Sequence, residues 1–296
     1  MRAMAATATG PDGGTGRCLC GAVRYRFDGP PAWMAHCHCE SCRRATAAPF
    51  TSFLGVRRDR LRWTGERAVF ASSPGVTRSF CPRCGTPLSY ETAERPQETD
   101  LYAATLDDPA AYAPAGHDHW NEHLPWLRLA DGLPRILAPR RLGPADDMAP
   151  VLALIRDAFA FMAGRIDPPS SAGALTAPSL AALAADAELW VMEDDGATVA
   201  CMILTPRPGC LYLGKLAVAA ARRREGHARR MIGHAEARAR ALGLPVLELQ
   251  TRVELTENHE AFRAMGFAEA GRSAHPGYDR PTTVTFRRPV PPAPAP

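Results

Sequence analysis

Seven of the nine cysteines fall between Cys18 and Cys84, spaced as Cys18-x-Cys20, Cys37-x-Cys39-x-x-Cys42 and Cys81-x-x-Cys84. A pair of thiols one or two residues apart on a tight turn supplies two adjacent corners of a tetrahedral metal site, and zinc takes deprotonated soft ligands in that arrangement. An odd number of cysteines cannot all pair as disulfides within one domain, and a reducing cytosol favours metal ligation. Cys18 and Cys20 combined with Cys81 and Cys84 would make a closed, structural four-thiolate site.

The middle trio, Cys37, Cys39 and Cys42, leaves one corner open, where water or a substrate thiol can be activated. Spacing alone leaves a second arrangement standing, a structural zinc completed by His36 or His38. His119 and His123 read as ordinary hydrogen-bonding residues.

The other two cysteines, Cys201 and Cys210, lie more than a hundred residues further on without comparable spacing and read as packing residues. A chain of 296 residues exceeds one ordinary hydrophobic core, so two domains are expected. The formal charge is +3 over residues 1–146 and +1 over 147–296, too little to make either half a nucleic-acid binder on charge alone. No apolar run approaches the roughly 20 residues that span a bilayer, and no signal-peptide pattern follows Arg2. The expectation is a cytoplasmic protein with no membrane and no nucleic-acid partner. Of the 35 basic residues only Lys215 is lysine, a bias that reads as compositional drift.

From Cys18 to Ile136, short β-like runs such as Ala22–Phe27, Ser52–Val56 and Leu101–Ala104 alternate with Pro and Gly turns, predicting a small, mainly β domain. The polar, proline-bearing stretch at 138–147 is the expected linker. Beyond Pro150 the periodicity turns helical, followed by a second short helix around Leu180–Ala187. Strand candidates come next at Leu189–Glu193, Thr198–Thr205 and Leu211–Val218. Residues 226–242 predict a helix with Met231, Ile232, Ala235, Ala239 and Leu242 on one face and Gly243 as its stop, before a strand at Val246–Thr251. The expected layout is a 1–16 tail, a domain at 17–137, the linker, a domain at 148–289 and a Pro/Ala tail at 290–296.

Between the third strand of that series and its helix runs Gly214-Lys-Leu-Ala-Val-Ala-Ala-Ala-Arg-Arg-Arg-Glu-Gly-His-Ala228. Free backbone N–H groups and the positive dipole end converge at such a helix start, making it an anion site fit for a pyrophosphate. Gly226 lets backbone approach phosphate, Ala228 keeps the helix face uncrowded, and Arg223 and Arg224 add attraction for a polyanion.

Two family resemblances rest on these residues. Arg17-Cys-Leu-Cys-Gly-Ala-Val-Arg-Tyr25, His36-Cys-His-Cys-Glu-Ser-Cys42 and Phe80-Cys-Pro-Arg-Cys-Gly-Thr-Pro-Leu88 resemble the glutathione-dependent formaldehyde-activating (Gfa-like) family. That resemblance implies a β-rich domain with a structural zinc on Cys18, Cys20, Cys81 and Cys84. It also implies a second, exchangeable zinc on catalytic Cys37, Cys39 and Cys42, where glutathione's thiol adds to formaldehyde. Two zinc ions per chain and a carbon–sulfur lyase activity on S-hydroxymethylglutathione are the corresponding expectations.

Arg223-Arg-Glu-Gly226-His-Ala228, with Asn258-His-Glu-Ala261-Phe262 and Gly266-Phe267 downstream, resembles the GNAT N-acetyltransferases. This implies an α/β fold with a central mixed sheet and acetyl-coenzyme A as co-substrate. Its pantetheine arm would lie along Leu216, Ala217 and Val218, its pyrophosphate against Arg223, Arg224, Glu225, Gly226, His227 and Ala228, with Asn258 nearby. A small primary amine is the expected acceptor.

In two places the chain departs from that pattern: Ala220 stands where proline is common, and Phe262 where a tyrosine often protonates the departing thiolate. Water or Tyr278 is then left as donor, or the thiolate leaves unprotonated. The candidate bases are Glu248, Glu254 and Glu257. The competing expectations are a zinc domain that is the main enzyme beside a degenerate acyltransferase, and a zinc domain that is only a binding module.

Overall fold

A computed structural model describes residues 12–291. The chain divides into two compact units, with the division between Ala138 and Pro139.

In the first unit the strands are β1 (Gly13–Arg17), β2 (Arg24–Asp28), β3 (Trp33–Cys37), β4 (Thr51–Arg57), β5 (Leu61–Thr64), β6 (Ala68–Ser73), β7 (Val76–Phe80), β8 (Pro87–Thr92), β9 (Glu98–Tyr102) and β10 (His117–Asp118), with one short helix, α1 (Glu40–Thr46). A three-stranded antiparallel sheet, β1-β2-β5, faces a seven-stranded sheet ordered β10-β3-β4-β9-β8-β7-β6, in which only the β10–β3 pair is parallel. Along β2 the period-two pattern is plain: Tyr25 and Phe27 are buried while Arg24, Arg26 and Asp28 are exposed. Those two rings pack with Met34, Leu54, Leu88 and Leu101 of the larger sheet, forming the core between the layers. Each such side chain removed from water contributes about 1.5–3 kcal/mol before the entropy of ordering is subtracted.

The first strand corrects the expected N-terminal tail. Residues 13–16 belong to β1, held by the antiparallel register Gly13↔Asp28 to Arg17↔Arg24. Their glycines lack apolar mass, yet β2 supplies the hydrophobic face and β1 needs only backbone pairing. Residues 1–11 of that expected tail lie outside the described residues.

The second unit contains β11 (Arg140–Leu142), α2 (Ala149–Phe159), α3 (Ala177–Asp186), β12 (Glu188–Asp194), β13 (Ala197–Arg207), β14 (Cys210–Val218), α4 (His227–Ala241), β15 (Val246–Arg252), α5 (Thr256–Ala264), β16 (Ala268–Ser273) and β17 (Thr283–Pro289). They form one mixed sheet ordered β11-β12-β13-β14-β15-β17-β16, whose only parallel pair is β14–β15. Local chemistry starts the helices: Pro150 sits in the first turn of α2, and α3 opens with a reciprocal Thr176–Ser179 capping box that encloses Pro178.

Apolar stripes of α2 (Val151, Leu154, Ile155) and α3 (Leu180, Ala184) cover Leu189 and Val191 on one face of the sheet. On α4 the buried side is Met231, Ile232, Ala235 and Ala239. That helix meets β12 residues of the other parity, His234 against Trp190 and Arg238 paired with Glu188, so it covers the opposite face. Leu242, expected on the apolar stripe, is instead the C-cap residue and 41% exposed, because the helix has already stopped at Ala241. Cys201 and Cys210 are buried core residues, as expected.

Two further segments differ from expectation. The 138–147 stretch is not all linker: β11 pairs with β12 through Arg140↔Val191 and Leu142↔Leu189, and buried Leu142 joins the core. Val290, assigned to the C-terminal tail, is buried and donates its N–H to the Pro245 carbonyl at 2.8 Å. Residues 292–296 of that tail lie outside the described residues. Among the described residues, no helix is long and apolar enough to cross a membrane.

Candidate functional site

Two turns, far apart in sequence, meet in the first unit. Cys18 and Cys20 lie on a turn that closes with Gly21 N–H on the Cys18 carbonyl at 3.0 Å, Gly21 taking φ +72°. Cys81 and Cys84 lie on the β7–β8 turn, where Gly85, also at φ +72°, donates to the Cys81 carbonyl at 2.9 Å. Both turns need a left-handed residue just after the second thiol, which glycine supplies at no steric cost.

The four Sγ atoms lie within 4.8 Å of one another, with Cys18–Cys20 at 3.6 Å and Cys20–Cys81 at 3.8 Å. Zinc bound tetrahedrally at about 2.3 Å from each sulfur requires sulfurs roughly 3.8 Å apart, so the residues fit the ion. The surroundings favour thiolates. Leu19 N–H donates to Thr86 Oγ1 at 3.1 Å, leaving the Thr86 hydroxyl proton for Cys84 Sγ at 3.2 Å. That hydroxyl and the Thr86 backbone N–H lower the Cys84 thiol to about 5.

The trio gathers at the junction of β3 and α1, where Cys37 ends the strand, Cys39 caps the helix and Cys42 is buried within it. The three Sγ atoms again lie within 4.8 Å of one another, and no histidine nitrogen joins that group among the described residues. His36 Nδ1 is instead 2.9 Å from Ser52 Oγ, and His38 Nε2 is 2.9 Å from His117 Nδ1. His119 bonds Glu122, and His123 donates from Nδ1 to the Trp120 carbonyl.

Charge at the trio is divided unevenly. Hydrogen bonds from Cys37 and Cys42 pull the Cys39 thiol down to about 2, and the same contacts push Cys37 well up. Three thiolates this close require a cation. One is already present in Arg78, which sequence reading missed. It is 8% exposed, approaches Cys42 Sγ at 3.7 Å, and is held by Tyr102 Oη at 2.9 Å and Ser41 Oγ at 3.0 Å. A hydrogen-bonded chain also runs inward from exposed Asp131 Oδ2 to buried His117 Nε2 at 2.9 Å and on to buried His38, whose Nδ1 has no hydrogen-bond partner among the described residues.

In the second unit the decisive feature is a fork. β14 and β15 pair only at Leu211↔Leu247 and Tyr212↔Glu248, so β14 from Leu213 onward has no strand partner on that side among the described residues. A bulge in β14, where the β13 register jumps between Cys201↔Ala217 and Ile203↔Gly214, falls at Lys215 with φ +51°. A left-handed conformation costs a non-glycine residue about 1–2 kcal/mol, and bulges of this kind re-aim side chains.

Leu216, Ala217 and Val218 continue along the open edge to the turn before α4. That turn is fixed by Arg222, which bridges Asp194 at 2.7 Å and Glu225 at 2.8 Å, while Glu225 reaches buried His227 at 3.2 Å. The Glu225 and His227 side chains are therefore engaged in shaping the turn. Gly226 at φ +83° is the N-cap of α4, no side chain caps the helix, and a Cβ there would meet nothing within 4 Å. Arg223 and Arg224 are exposed and carry no ion pair among the described residues. Asn258, at the start of α5, points its amide at Thr251 Oγ1, 3.5 Å away.

The chain between α2 and α3 forms the other wall, around a cavity of about 270 Å³ lined by Phe159, Met162, Ile166, Pro169 and Ser170 among others. Of the three candidate bases, Glu248 is taken up by Arg287 at 2.7 Å and Arg207 at 3.6 Å, and Glu257 by Arg165 at 2.6 Å. Among the described residues Glu254 accepts only the Asp167 N–H, at 3.4 Å, and its Oε2 is buried without a partner. Phe262 packs against Phe267 and Phe286, and the Tyr278 hydroxyl donates to Asp167 at 2.6 Å.

Residues 14–122 match the family model for glutathione-dependent formaldehyde-activating enzymes, and residues 155–267 match that of the acetyltransferase (GNAT) family. The chain joins a Gfa-type domain to a GNAT-type domain. A Schizosaccharomyces pombe protein described as an uncharacterized lyase is 32% identical over 75 residues, 25% of this chain and 55% of that protein, so the chain spans about half the length of this curated relative. Solved structures similar to the chain include PaiA N-acetyltransferase from Thermoplasma acidophilum in complex with coenzyme A (11% identity, TM-score 0.44, covering 52% of this chain and 98% of that one). Another is the ribosomal-protein-S18-alanine N-acetyltransferase from Escherichia coli (17% identity, TM-score 0.39, covering 52% and 94%). The Gfa-type domain thus carries both cysteine clusters, and the GNAT-type domain carries the fork.

Proposed function

We propose that the chain transfers an acetyl group from acetyl-coenzyme A to a small primary amine in its GNAT-type domain. The observation that carries this reading is the β14–β15 fork opening beside the uncapped helix start at Gly226. The open edge of β14 offers backbone hydrogen bonds to the pantetheine amides, and the α4 N-terminus with Arg223 and Arg224 offers donors and positive charge to the pyrophosphate. Glu254 takes one proton from the acceptor ammonium. The freed nitrogen attacks the thioester carbon, the N–C bond forms and the C–S bond breaks. The second nitrogen proton ends on the coenzyme A sulfur by way of water, since neither Phe262 nor the engaged Tyr278 supplies it, and the proton on Glu254 passes to solvent. Calorimetry with acetyl-coenzyme A, followed by thiol release in the presence of primary amines, tests the reading. Absence of binding overturns it.

A second reading is favoured by the open corner at Cys37, Cys39 and Cys42. In it the Gfa-type domain holds two zinc ions and acts as a thiol–aldehyde lyase toward glutathione and formaldehyde. A zinc ion with an open position lowers the pKa of a bound thiol and polarises a carbonyl. Cys37, Cys39 and Cys42 would hold it, Arg78 offsets the excess negative charge of three thiolates, and the His38–His117–Asp131 chain braces the loop between Cys37 and Cys39. In the addition a sulfur–carbon bond forms and the thiol proton ends on the aldehyde oxygen; cleavage is the reverse. Elemental analysis together with NMR of glutathione and labelled formaldehyde tests it, and formation of S-hydroxymethylglutathione no faster than in buffer overturns it.

A further inference from the structure

Lys215 is the only lysine among 35 basic residues, in a chain that elsewhere uses arginine for every positive side chain. It occupies the left-handed position of the β14 bulge, at the mouth of the fork, where glycine would fit without strain. Strain retained beside a candidate site is a pointer to function. The ammonium is half-buried, its one hydrogen bond among the described residues goes to Ser171 Oγ at 2.8 Å, and it lies 6.0 Å from the Phe159 ring centroid. It has no carboxylate partner among the described residues. Burial lowers the Lys215 pKa, as for an ammonium short of counter-charge. Phe159 and the neighbours of Ser171, Ser170 and Ala172, line the cavity of about 270 Å³, so the ammonium stands at its rim.

The same segment is held at its other end by the opposite charge. Asp167 N–H donates to Glu254, whose second oxygen is buried and unpartnered. Residues 167 and 171 are four steps apart, at most about 14 Å along an extended chain. Other charges on this wall are already used: Asp167 bonds Tyr278 and Arg280, and Glu257 pairs with Arg165. Arg252 is held by His275 and the Pro168 carbonyl, and Arg156 is exposed and donates to the Leu175 carbonyl. Lys215, bonded among the described residues only to a hydroxyl, and Glu254, with one oxygen unpartnered, are thus anchored to the two ends of a five-residue strip beside a mainly apolar cavity; Arg156, which also lines it, and Arg252 have no carboxylate partner among the described residues either, but both are bonded to backbone carbonyls.

We infer that the acceptor is a zwitterionic amino acid with an apolar side chain, its carboxylate bound by Lys215 and Ser171, its ammonium directed to Glu254 and its side chain in the cavity. This rests on the acetyltransferase reading and narrows it to a substrate class. A lysine suits the position because a compact ammonium on a flexible stem can leave Ser171 and meet a carboxylate, whereas a planar guanidinium demands a wider berth.

The test is acetyl transfer by the full chain to leucine, leucinamide and 3-methylbutylamine, which share a side chain and differ in the carboxylate. The expected result is a kcat/KM for leucine at least tenfold above the other two. In Lys215→Met the ratio of leucine to 3-methylbutylamine should collapse at least tenfold, and in Lys215→Arg it should be partly kept. A merely structural role would lower all three substrates together and leave the ratio unmoved. Equal use of leucine and 3-methylbutylamine by the unchanged protein, or a ratio untouched by Lys215→Met, overturns the inference. If acetyl-coenzyme A binds in calorimetry while none of the three amines is acetylated, the acceptor class is wrong and the cofactor site stands; if acetyl-coenzyme A does not bind, the underlying reading fails as well.

Discussion

Cys20 Sγ lies 3.8 Å from Cys81 Sγ although 61 positions separate them in the chain. The contact closes a loop that contains β2 and β5 of the smaller sheet and β3, β4, β6 and β7 of the larger one, so a metal held there acts on both sheets of the first unit. Structural zinc sites of four thiolates contribute on the order of 10 kcal/mol to folding, more than the net stability of a small β domain. Cys81→Ala should therefore remove the cooperative melting transition of residues 12–138, whereas Cys39→Ser should keep it and lose only the more labile zinc. Elemental analysis before and after mild chelation, alongside thermal melts, reads both effects. A Cys81→Ala protein that melts like the unchanged one would sink the assignment.

Arg78 offers a test of charge at the trio. Its guanidinium is buried against Cys42 with no carboxylate nearby among the described residues, so its counter-charge is the thiolate cluster itself. A hydrogen bond between charged groups contributes about 1.5–3 kcal/mol, so Arg78→Met should weaken zinc binding at the trio roughly ten- to a hundredfold. Competition with a chromogenic chelator measures this without any activity assay. Zinc retention equal to that of the unchanged protein would show that Arg78 serves only Tyr102 and Ser41.

What the sequence disclosed and what it hid follow from the range of the interactions. Cysteine spacing and the Arg/Gly turn are local signals, because the ligands of one corner pair or the donors of one helix start lie within a few residues of each other. The small β domain and the helices after Pro150 were legible for the same reason, through alternation and 3.6-residue periodicity. Arg78 was invisible, since nothing distinguishes it in sequence from its many fellow arginines until β7 brings it to Cys42. The Asp131–His117–His38 chain joins residues up to 93 positions apart through tertiary pairing of β10 with β3. The strand at Gly13–Arg17 escaped because its partners, not its own side chains, make it a strand. Lys215 stood out in composition, but only the bulge and Ser171 give that singularity a physical setting.

At the helix start the two residue types should fail differently. Gly226 combines φ +83° with open space in front of it, so Gly226→Glu adds backbone strain, bulk and negative charge where pyrophosphate would meet the free N–H groups. Binding of acetyl-coenzyme A should fall at least a hundredfold in calorimetry. Arg223→Ala removes one exposed charge, worth about 1 kcal/mol, and should weaken binding roughly fivefold while making it less sensitive to salt. The reverse ordering would place the cofactor elsewhere.

His234 makes the second unit acid-sensitive. Burial against Trp190, reinforced by neighbouring Arg238, lowers its pKa from 6.5 to about 4. The unfolded chain therefore binds this proton more readily than the folded one between those values. The stability it contributes is complete above pH 6.5, declines as pH falls, and is gone below about 4. Thermal melts of the second unit's transition should drop across that window, and His234→Gln should flatten the slope without abolishing acid denaturation by the carboxylates. An unchanged slope in the variant would mean the ring is solvated in solution.

Glu254 differs from its two rivals in having an oxygen left over. Glu248 is closed in by Arg287 and Arg207 and Glu257 by Arg165, whereas Glu254 Oε2 is buried and unpartnered beside the segment that ends at Ser171. Removing a general base typically costs about 100- to 10,000-fold in rate, so Glu254→Gln should lower kcat on a primary amine by that order while leaving acetyl-coenzyme A affinity intact. Its residual rate should climb tenfold per pH unit toward the pKa of the free amine, because only the already neutral fraction of acceptor can attack. Glu257→Gln should change kcat little, and Glu248→Gln should lower the melting temperature through the loss of its ion pairs rather than steepen the pH profile. Thiol release followed from pH 6 to 10 distinguishes them: a Glu254→Gln profile parallel to that of the unchanged protein would remove Glu254 from the chemistry and point to water as the base.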